Sequence, residues 1–171
     1  MKLELGCGSN KKEGYIGVDI IDYSKLYKKG MFHTVNEGEK LPFRNNTFEE
    51  IRVHHVLEHV ENLHRTMKEL HRVAKPKAKI EITVPHRSVF GDEEDRRPFN
   101  YYSFTYYLIN CPQRLNPKEK FFRPIHKTLH FKGVYKPFEW LMNIIPYIYE
   151  QTFLRNIIFC YEIEFCMEVV K

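Results

Sequence analysis

The tightest constraint on this chain lies in its first 20 residues. "KLEL" (2–5) is a short buried-strand pattern that runs into the glycine turn "GCGSN", and "YIGVDI" (15–20) is a second strand with an acid near its end. Asp19 follows Gly8 by only 11 residues. A dinucleotide-binding fold needs a whole helix in that interval, with its acid about 20 residues on and a third glycine where this chain has Lys11. No ordinary helix therefore fits between the first two strands, and no helix N-terminus is available there for a pyrophosphate. Glycine lets the backbone approach a nucleotide closely, and a carboxylate at a strand tip can accept both hydroxyls of a ribose. The ligand this stretch suits is a nucleoside without a pyrophosphate. A structural glycine turn beside a surface Asp accounts for the same letters.

Further strands follow at "MFHTV" (31–35), "FEEIRVHH" (48–55) and "AKIEITVPH" (78–86). Between the last two, Val56, Val60, Leu63, Met67, Leu70 and Ala74 recur at helical spacing, which predicts an amphipathic helix ended by Pro76. Strands alternating with crossovers argue for an α/β fold with a mostly parallel sheet. "NYYSFTYYLINC" (100–111) reads as helical, and "FEWLMNIIPYIYE" as helix interrupted at Pro146. "KFFRPIHKTLHF" (120–131) and "NIIFCYEIEFCMEVV" (156–170) read as long strands, the second with Ile163, Phe165 and Met167 on its apolar face. Two such strands predict a C-terminal antiparallel hairpin finishing the sheet.

Composition narrows the class. The 171 residues, 43% hydrophobic and 29% charged, suit one globular domain with a real core. No apolar run reaches the roughly 18 residues of a membrane span, and "MKLELGCGSN" has no signal-peptide core. Cys7, Cys111, Cys160 and Cys166 show no C-x-x-C spacing, which points to free thiols in a reducing cytoplasm. The net charge of +5 is uneven: residues 114, 118, 120, 123, 127, 132 and 136 are all Lys or Arg. That strip either attracts phosphates or is a solvated face.

Taken in order, "LELGCGSN", "GVDI", "LPFRNNTFEEI", "HHVLEHV" and "ELHRVAKPKAKIEITVPH" resemble the class I S-adenosylmethionine-dependent methyltransferases. More closely they are similar to the small group carrying "LPF" followed by "LEH". The likeness covers about residues 2–87, which would form the cofactor-binding half; residues 88–171 would form the substrate side and lid of the same domain. The resemblance implies a Rossmann-like fold and roles at matching positions. Glu4 would fix the loop and the cofactor's amino group, and Gly6, Cys7 and Gly8 would line its methionine portion. Asp19 would hold the ribose, with Ile20 beside the adenine. Asn36 or Glu37 would stand where the family often has an acid near the adenine, and Leu41 would pack on the base. His54 and His55 would face the methionine and the substrate. Relative to the family, the chain starts at strand one without the usual preceding helix, and its first crossover is cut to a loop. The flank left bare invites a homodimer or a lid from the second half.

"HHVLEH" also spells H-x-x-E-H, an inverted zinc-peptidase string, through His55, Glu58 and His59. Zinc would need His55 and His59 on one helical turn and a third ligand from elsewhere. The strand pattern instead sets His55 at a strand-to-helix junction, with Glu58 and His59 opening the helix, so no metal is expected. A general base is needed only for a poorly acidic hydroxyl or a protonated amine. His55 and His86, both at carboxyl ends of strands, are the candidates, and either could equally be a wall residue. The segment "GDEEDRRPFNYYSFTYYL" is either the substrate loop, with acids 92–95, Arg96 and Arg97 to contact a charged acceptor and Tyr101, Tyr102 and Tyr106 to wall it, or a solvated charged loop leading into an aromatic core helix.

Three functions are consistent with these residues. The first is methylation of a small molecule, because no appended recognition domain is present. The second is RNA methylation using the basic strip, with no recognised RNA-binding module beside it. The third is a cofactor-binding partner protein without catalysis.

Overall fold

The computed structural model describes residues 1–89, 93, 95–109 and 120–171. Its seven strands are β1 (Lys2–Leu5), β2 (Tyr15–Asp19), β3 (Phe32–Thr34), β4 (Phe48–His54), β5 (Ala74–Pro85), β6 (Phe122–Phe131) and β7 (Cys160–Val169). They form one sheet in the order β3-β2-β1-β4-β5-β7-β6. The first five are parallel, while β7 runs antiparallel to both β5 and β6. The α/β class, the mostly parallel sheet and the terminal antiparallel pair are as expected from the sequence.

This order creates a topological switch. From β1 the chain steps outward through β2 and β3, then returns to lay β4 on the other side of β1. Outside the carboxyl ends of β1 and β4 the connections diverge and leave a crevice, the place where open α/β sheets bind ligands. Residues 6–14 connect β1 to β2 by turns, as their number requires.

Helix α1 (Leu63–Val73) covers one face between β4 and β5, burying Met67, Leu70 and Val73. Asn62 caps it by accepting the Arg65 N–H at 2.9 Å. This corrects the predicted helix at both ends. Val56 and Val60 share the helical spacing but lie before the cap, because His55 takes a left-handed φ of 50° and residues 57–59 turn. Glu58 and His59 thus belong to that turn. At the other end Ala74 is already extended, and Pro76 sits inside β5 instead of ending the helix. It is tolerated there because the ladder shifts register between Phe48 and Glu50 of β4, so the Pro76 position has no bond to donate.

Residues 101–104 are turns and Thr105–Tyr107 is a single 3₁₀ turn, not the expected helix; residues 110 and 111 lie outside the described chain. Local polar bonds compete with a helix here: Asn100 Oδ1 accepts the Tyr102 N–H, and Ser103 Oγ accepts the Asn100 N–H. The aromatic rings still enter the core, with Phe99 stacked on Phe104 and Phe104 edge-on to Phe165 of β7. Helices α2 (Glu139–Ile144) and α3 (Pro146–Gln151) meet at Pro146, which occupies the first turn of α3 where its missing N–H costs nothing. No helix of the described residues is long and apolar enough to cross a membrane.

Candidate active site

A cavity of about 470 Å³ opens at the switch point, within the size range of small-molecule sites. Its floor is the turn after β1. Gly6 has φ +66°, and a Cβ there would lie 2.1 Å from Val56 Cγ2, so only glycine fits under the turn that follows β4. The Gly6 N–H donates to Val18 O at 2.7 Å, which ties the turn to β2.

Asp19 ends β2 on the cavity wall. Its Oδ2 accepts the Gly8 N–H at 2.8 Å and its Oδ1 accepts the Ile21 N–H at 3.0 Å. A carboxylate offers about four acceptor positions, so each oxygen keeps capacity for one further donor. Two oxygens with one open position each suit two neighbouring hydroxyls.

The opposite wall is the loop containing "LPF", and its clamp to α1 explains why "LPF" and "ELHR" occur together. Glu69 Oε1 accepts the Leu41 N–H at 2.7 Å. Arg72 donates to Leu41 O at 3.0 Å, Phe43 O at 2.8 Å and Asn45 Oδ1 at 2.9 Å, while also bonding both oxygens of Glu69. Burial alone would raise the Glu69 carboxyl, but Arg72 and the Leu41 N–H hold it below its ordinary range. The clamp buries Leu41 against the cavity and brings Arg65, Thr66 and Glu69 of α1 to its rim. These three were not singled out from the sequence. The only available signal is that they flank the buried stripe of Met67 and Leu70.

The structure brings together Gly6, Asp19, Ile20, Asn36, Glu37, Leu41 and His55 on this cavity. Glu37 also receives the Glu61 N–H, and Asn36 donates to Glu39 at 3.0 Å. Other expected residues sit elsewhere. Glu4 lies beneath the loop, accepting the Lys12 N–H at 2.6 Å and Arg52 at 2.7 Å, so its carboxylate is directed away from the cavity. The Cys7 side chain faces Gly17, whose absent Cβ would lie 2.5 Å from Sγ. Burial, reinforced by Asp19, pushes that thiol up to about 11, which keeps it neutral. Gly8 anchors Asp19 without lining the cavity. His54 is exposed, edge-on to His55 at 4.5 Å, and also outside it.

Both histidines proposed as bases are spoken for. His55 Nδ1 lies 3.2 Å from Glu58 Oε1, and its Nε2 lies 2.9 Å from Glu162 Oε2. Glu58 first, with Glu162 beside it, raises this imidazole above its ordinary 6.5. Flanked by two acceptors it is best satisfied as an imidazolium donating twice, which leaves no lone pair to take a proton. His86 has no exposed surface and lies against Glu150 at 3.2 Å and Ser88 at 2.8 Å. It is a buried strut, so its catalytic assignment is withdrawn on geometry.

In the basic strip, residues 114 and 118 lie outside the described chain. Arg123 pairs with Glu168, Lys136 pairs with Glu139, and Lys132 stands over the Tyr161 ring. Lys127 donates to Tyr101 O at 3.1 Å within a cage of Tyr101, Tyr102 and Phe165, and burial lowers its pKa. These four cations are engaged within the fold, which weakens the case for a phosphate-binding face.

Residues 3–82 match the family model described as a methyltransferase domain. The 2-phytyl-1,4-naphtoquinone methyltransferase of Nostoc sp. (strain PCC 7120 / SAG 25.82 / UTEX 2576) is 32% identical over 81 residues, which is 47% of this chain and 34% of that protein. The match thus spans about a third of the length of this curated relative. Among solved structures, a SAM-dependent methyltransferase from Archaeoglobus fulgidus superposes with TM-score 0.63 at 16% identity, over 98% of this chain and 85% of that one. A chain of the complex between the Haloferax volcanii Trm112 methyltransferase activator and a methyltransferase gives 0.62 at 11% identity, over 99% of this chain and 82% of that one.

The fold is that of the class I S-adenosylmethionine-dependent methyltransferases. The stretch that matches the methyltransferase-domain model, residues 3–82, holds β1 to β4, α1 and most of β5, the part of the fold that builds the cavity.

Proposed function

We propose that the protein transfers a methyl group from S-adenosylmethionine to a small-molecule acceptor. The observation that carries this reading is the cavity at the switch point, floored by Gly6 and walled by Asp19. The residues suit the cofactor on their own chemistry. Asp19 keeps two open acceptor positions for a ribose, Ile20 and Leu41 offer apolar surface for a base, and the short first crossover asks for no pyrophosphate. Bound there, the cofactor supplies an electrophilic methyl on a sulfonium. The chain's own part is to align it with the acceptor and exclude water. The quinone methyltransferase relative supports a small acceptor, and the engagement of Arg123, Lys127, Lys132 and Lys136 within the fold supports it over RNA.

This reading takes residues 1–87 as the cofactor half and 88–171 as the acceptor half of a single domain. Three of the four cysteines, Cys7, Cys160 and Cys166, are free thiols, which supports a cytoplasmic setting. Self-association as a homodimer is supported by the exposed Val134, Trp140, Ile144 and Phe153 of the second half. Sedimentation of the purified chain as a dimer or a monomer decides that point.

Calorimetric titration with S-adenosylmethionine tests the function. Asp19→Ala is expected to weaken binding about 10- to 100-fold, because two hydroxyls lose a charged acceptor worth about 1.5–3 kcal/mol. Asp19→Asn, which keeps one carbonyl oxygen, should fall between. Unchanged affinity in a folded Asp19→Ala protein would remove Asp19 from the site.

A further inference from the structure

We propose that Glu58, His59 and Asp95 bind one divalent first-row metal ion, zinc or manganese, beside the cofactor cavity. Each offers one ligand atom, and the three atoms lie within 4.8 Å of one another. His59 Nδ1 and Asp95 Oδ1 stand 3.6 Å apart. Two ligands held at about 2.1 Å by a tetrahedral ion are separated by about 3.4 Å, so this spacing needs only a small adjustment to close on a metal.

Burial gives the second, independent reason. The Glu58 side chain is 2% exposed, and its Oε2 has no hydrogen-bond partner among the described residues. A buried carboxylate oxygen left unmatched is costly, and such groups are normally paired or bound to a metal. The Asp95 side chain, 6% exposed, brings a second carboxylate to the same place. The other oxygen of Glu58 is engaged by His55, which fixes the carboxylate plane and directs Oε2 elsewhere. Ligating carboxylates are commonly held by such an outer partner.

The backbone builds this arrangement deliberately. The Arg96 N–H donates to Glu58 O at 2.9 Å, and Arg97 donates to Val60 O at 2.5 Å. These bonds stitch the segment after β5 to the turn after β4 and set Asp95 against Glu58 and His59. The string H-x-x-E-H is therefore misleading as an inverted zinc-peptidase motif, since His55 spends both nitrogens on carboxylates. Its Glu-His pair nonetheless meets a third ligand that no sequence spacing announces.

The three ligands line a second small cavity together with His55, Pro85 and Tyr161. Three protein ligands leave coordination positions open, as in catalytic metal sites. Two carboxylates and an imidazole suit manganese or zinc and not the soft Cu(I). His55 and His59 line both this cavity and the one proposed for the cofactor, so the two cavities share a wall.

The ion's role rests on the proposed methyl transfer. Coordination of an acceptor hydroxyl lowers its pKa, and its proton passes to solvent, so no side-chain base is required. The oxygen's electron pair then forms the new bond to the methyl carbon, while the carbon–sulfur bond breaks and its pair returns to sulfur as a neutral thioether. The acceptor class is accordingly an alcohol or phenol.

The test is calorimetric titration of the chelator-stripped full chain with Zn²⁺ and, separately, with Mn²⁺. One equivalent of at least one ion is expected. Glu58→Gln and Asp95→Asn should each weaken uptake about 10-fold or more, while Asp95→Asn binds S-adenosylmethionine as the wild type does. Absence of uptake of both ions, or uptake unchanged in both variants, would overturn the site. Should Glu58→Gln not fold, Asp95→Asn and His59→Gln decide. Metal uptake without S-adenosylmethionine binding upholds the metal site and sinks methyl transfer; the converse result does the reverse.

Discussion

Gly6 and Gly8 stand two residues apart with similar positive φ, yet they do different work. A Cβ at Gly6 collides with Val56, whereas one at Gly8 meets nothing within 4 Å. Gly8→Ala should therefore cost only the left-handed strain, about 1–2 kcal/mol. Gly6→Ala adds an overpacking cost of about 1–3 kcal/mol, and it pushes Val56 out of the cavity floor. Denaturant melts of the two variants should show Gly6→Ala as clearly the less stable, with S-adenosylmethionine binding lost in calorimetry. Equal stability would mean that the turn after β4 yields easily. Gly6 and Asp19 were legible in the sequence because a glycine turn after a strand and an acid at a strand tip are local facts. Where Glu4, Cys7 and His54 point was not legible, because it depends on which neighbour each side chain finds across the sheet. Glu4 finds Arg52, 48 residues away, and turns from the cavity.

At the scale of elements, the cavity wall depends on α1 holding a loop. Arg72 bonds Leu41, Phe43 and Asn45, and Glu69 holds Leu41 from its other side. Arg72→Gln should cost about 2–4 kcal/mol, given about 1.5–3 kcal/mol for a charged hydrogen bond and further bonds lost beside it. Its pH dependence has a definite sign. Glu69 is held below its ordinary 4.5 in the folded state, so its contribution is complete above 4.5 and is lost as pH falls through the lowered value. The stability gap between wild type and Arg72→Gln should therefore be full at neutral pH and narrow in acid, as urea titrations across pH would reveal. A gap independent of pH would show that Glu69 is not the partner that matters. The amphipathic stripe announced α1, since Met67, Leu70 and Val73 do face the core. It overran the N-terminus because Val56 and Val60 continue the spacing while Asn62 sets the cap. Periodicity reports which residues are apolar, and caps decide where the helix begins.

At the scale of the molecule, the sheet order makes the two halves of the sequence inseparable. β7, the last strand in the chain, lies between β5 and β6 and pairs with β5 from Lys79–Glu168 to Pro85–Glu162. Ile163 and Phe165 of β7 are fully buried and Met167 nearly so, in the same core as Ile80 and Ile82 of β5. A fragment ending at residue 87 would keep the stretch that matches the methyltransferase family but expose β5 as a long apolar edge, the kind of strand that aggregates. The full chain should accordingly unfold in one cooperative transition, and the fragment 1–87 should show no cooperative melt at all. Circular dichroism is the right probe, because Trp140, the sole tryptophan, is 74% exposed and its fluorescence will change little on unfolding. Two separate transitions, or a fragment that melts cooperatively, would mean that residues 1–87 fold alone and that the C-terminal strands are an addition to them. A single transition would mean that the C-terminal strands and the cavity at the switch point share one stability, so a mutation in β7 destabilises the cavity without touching its lining.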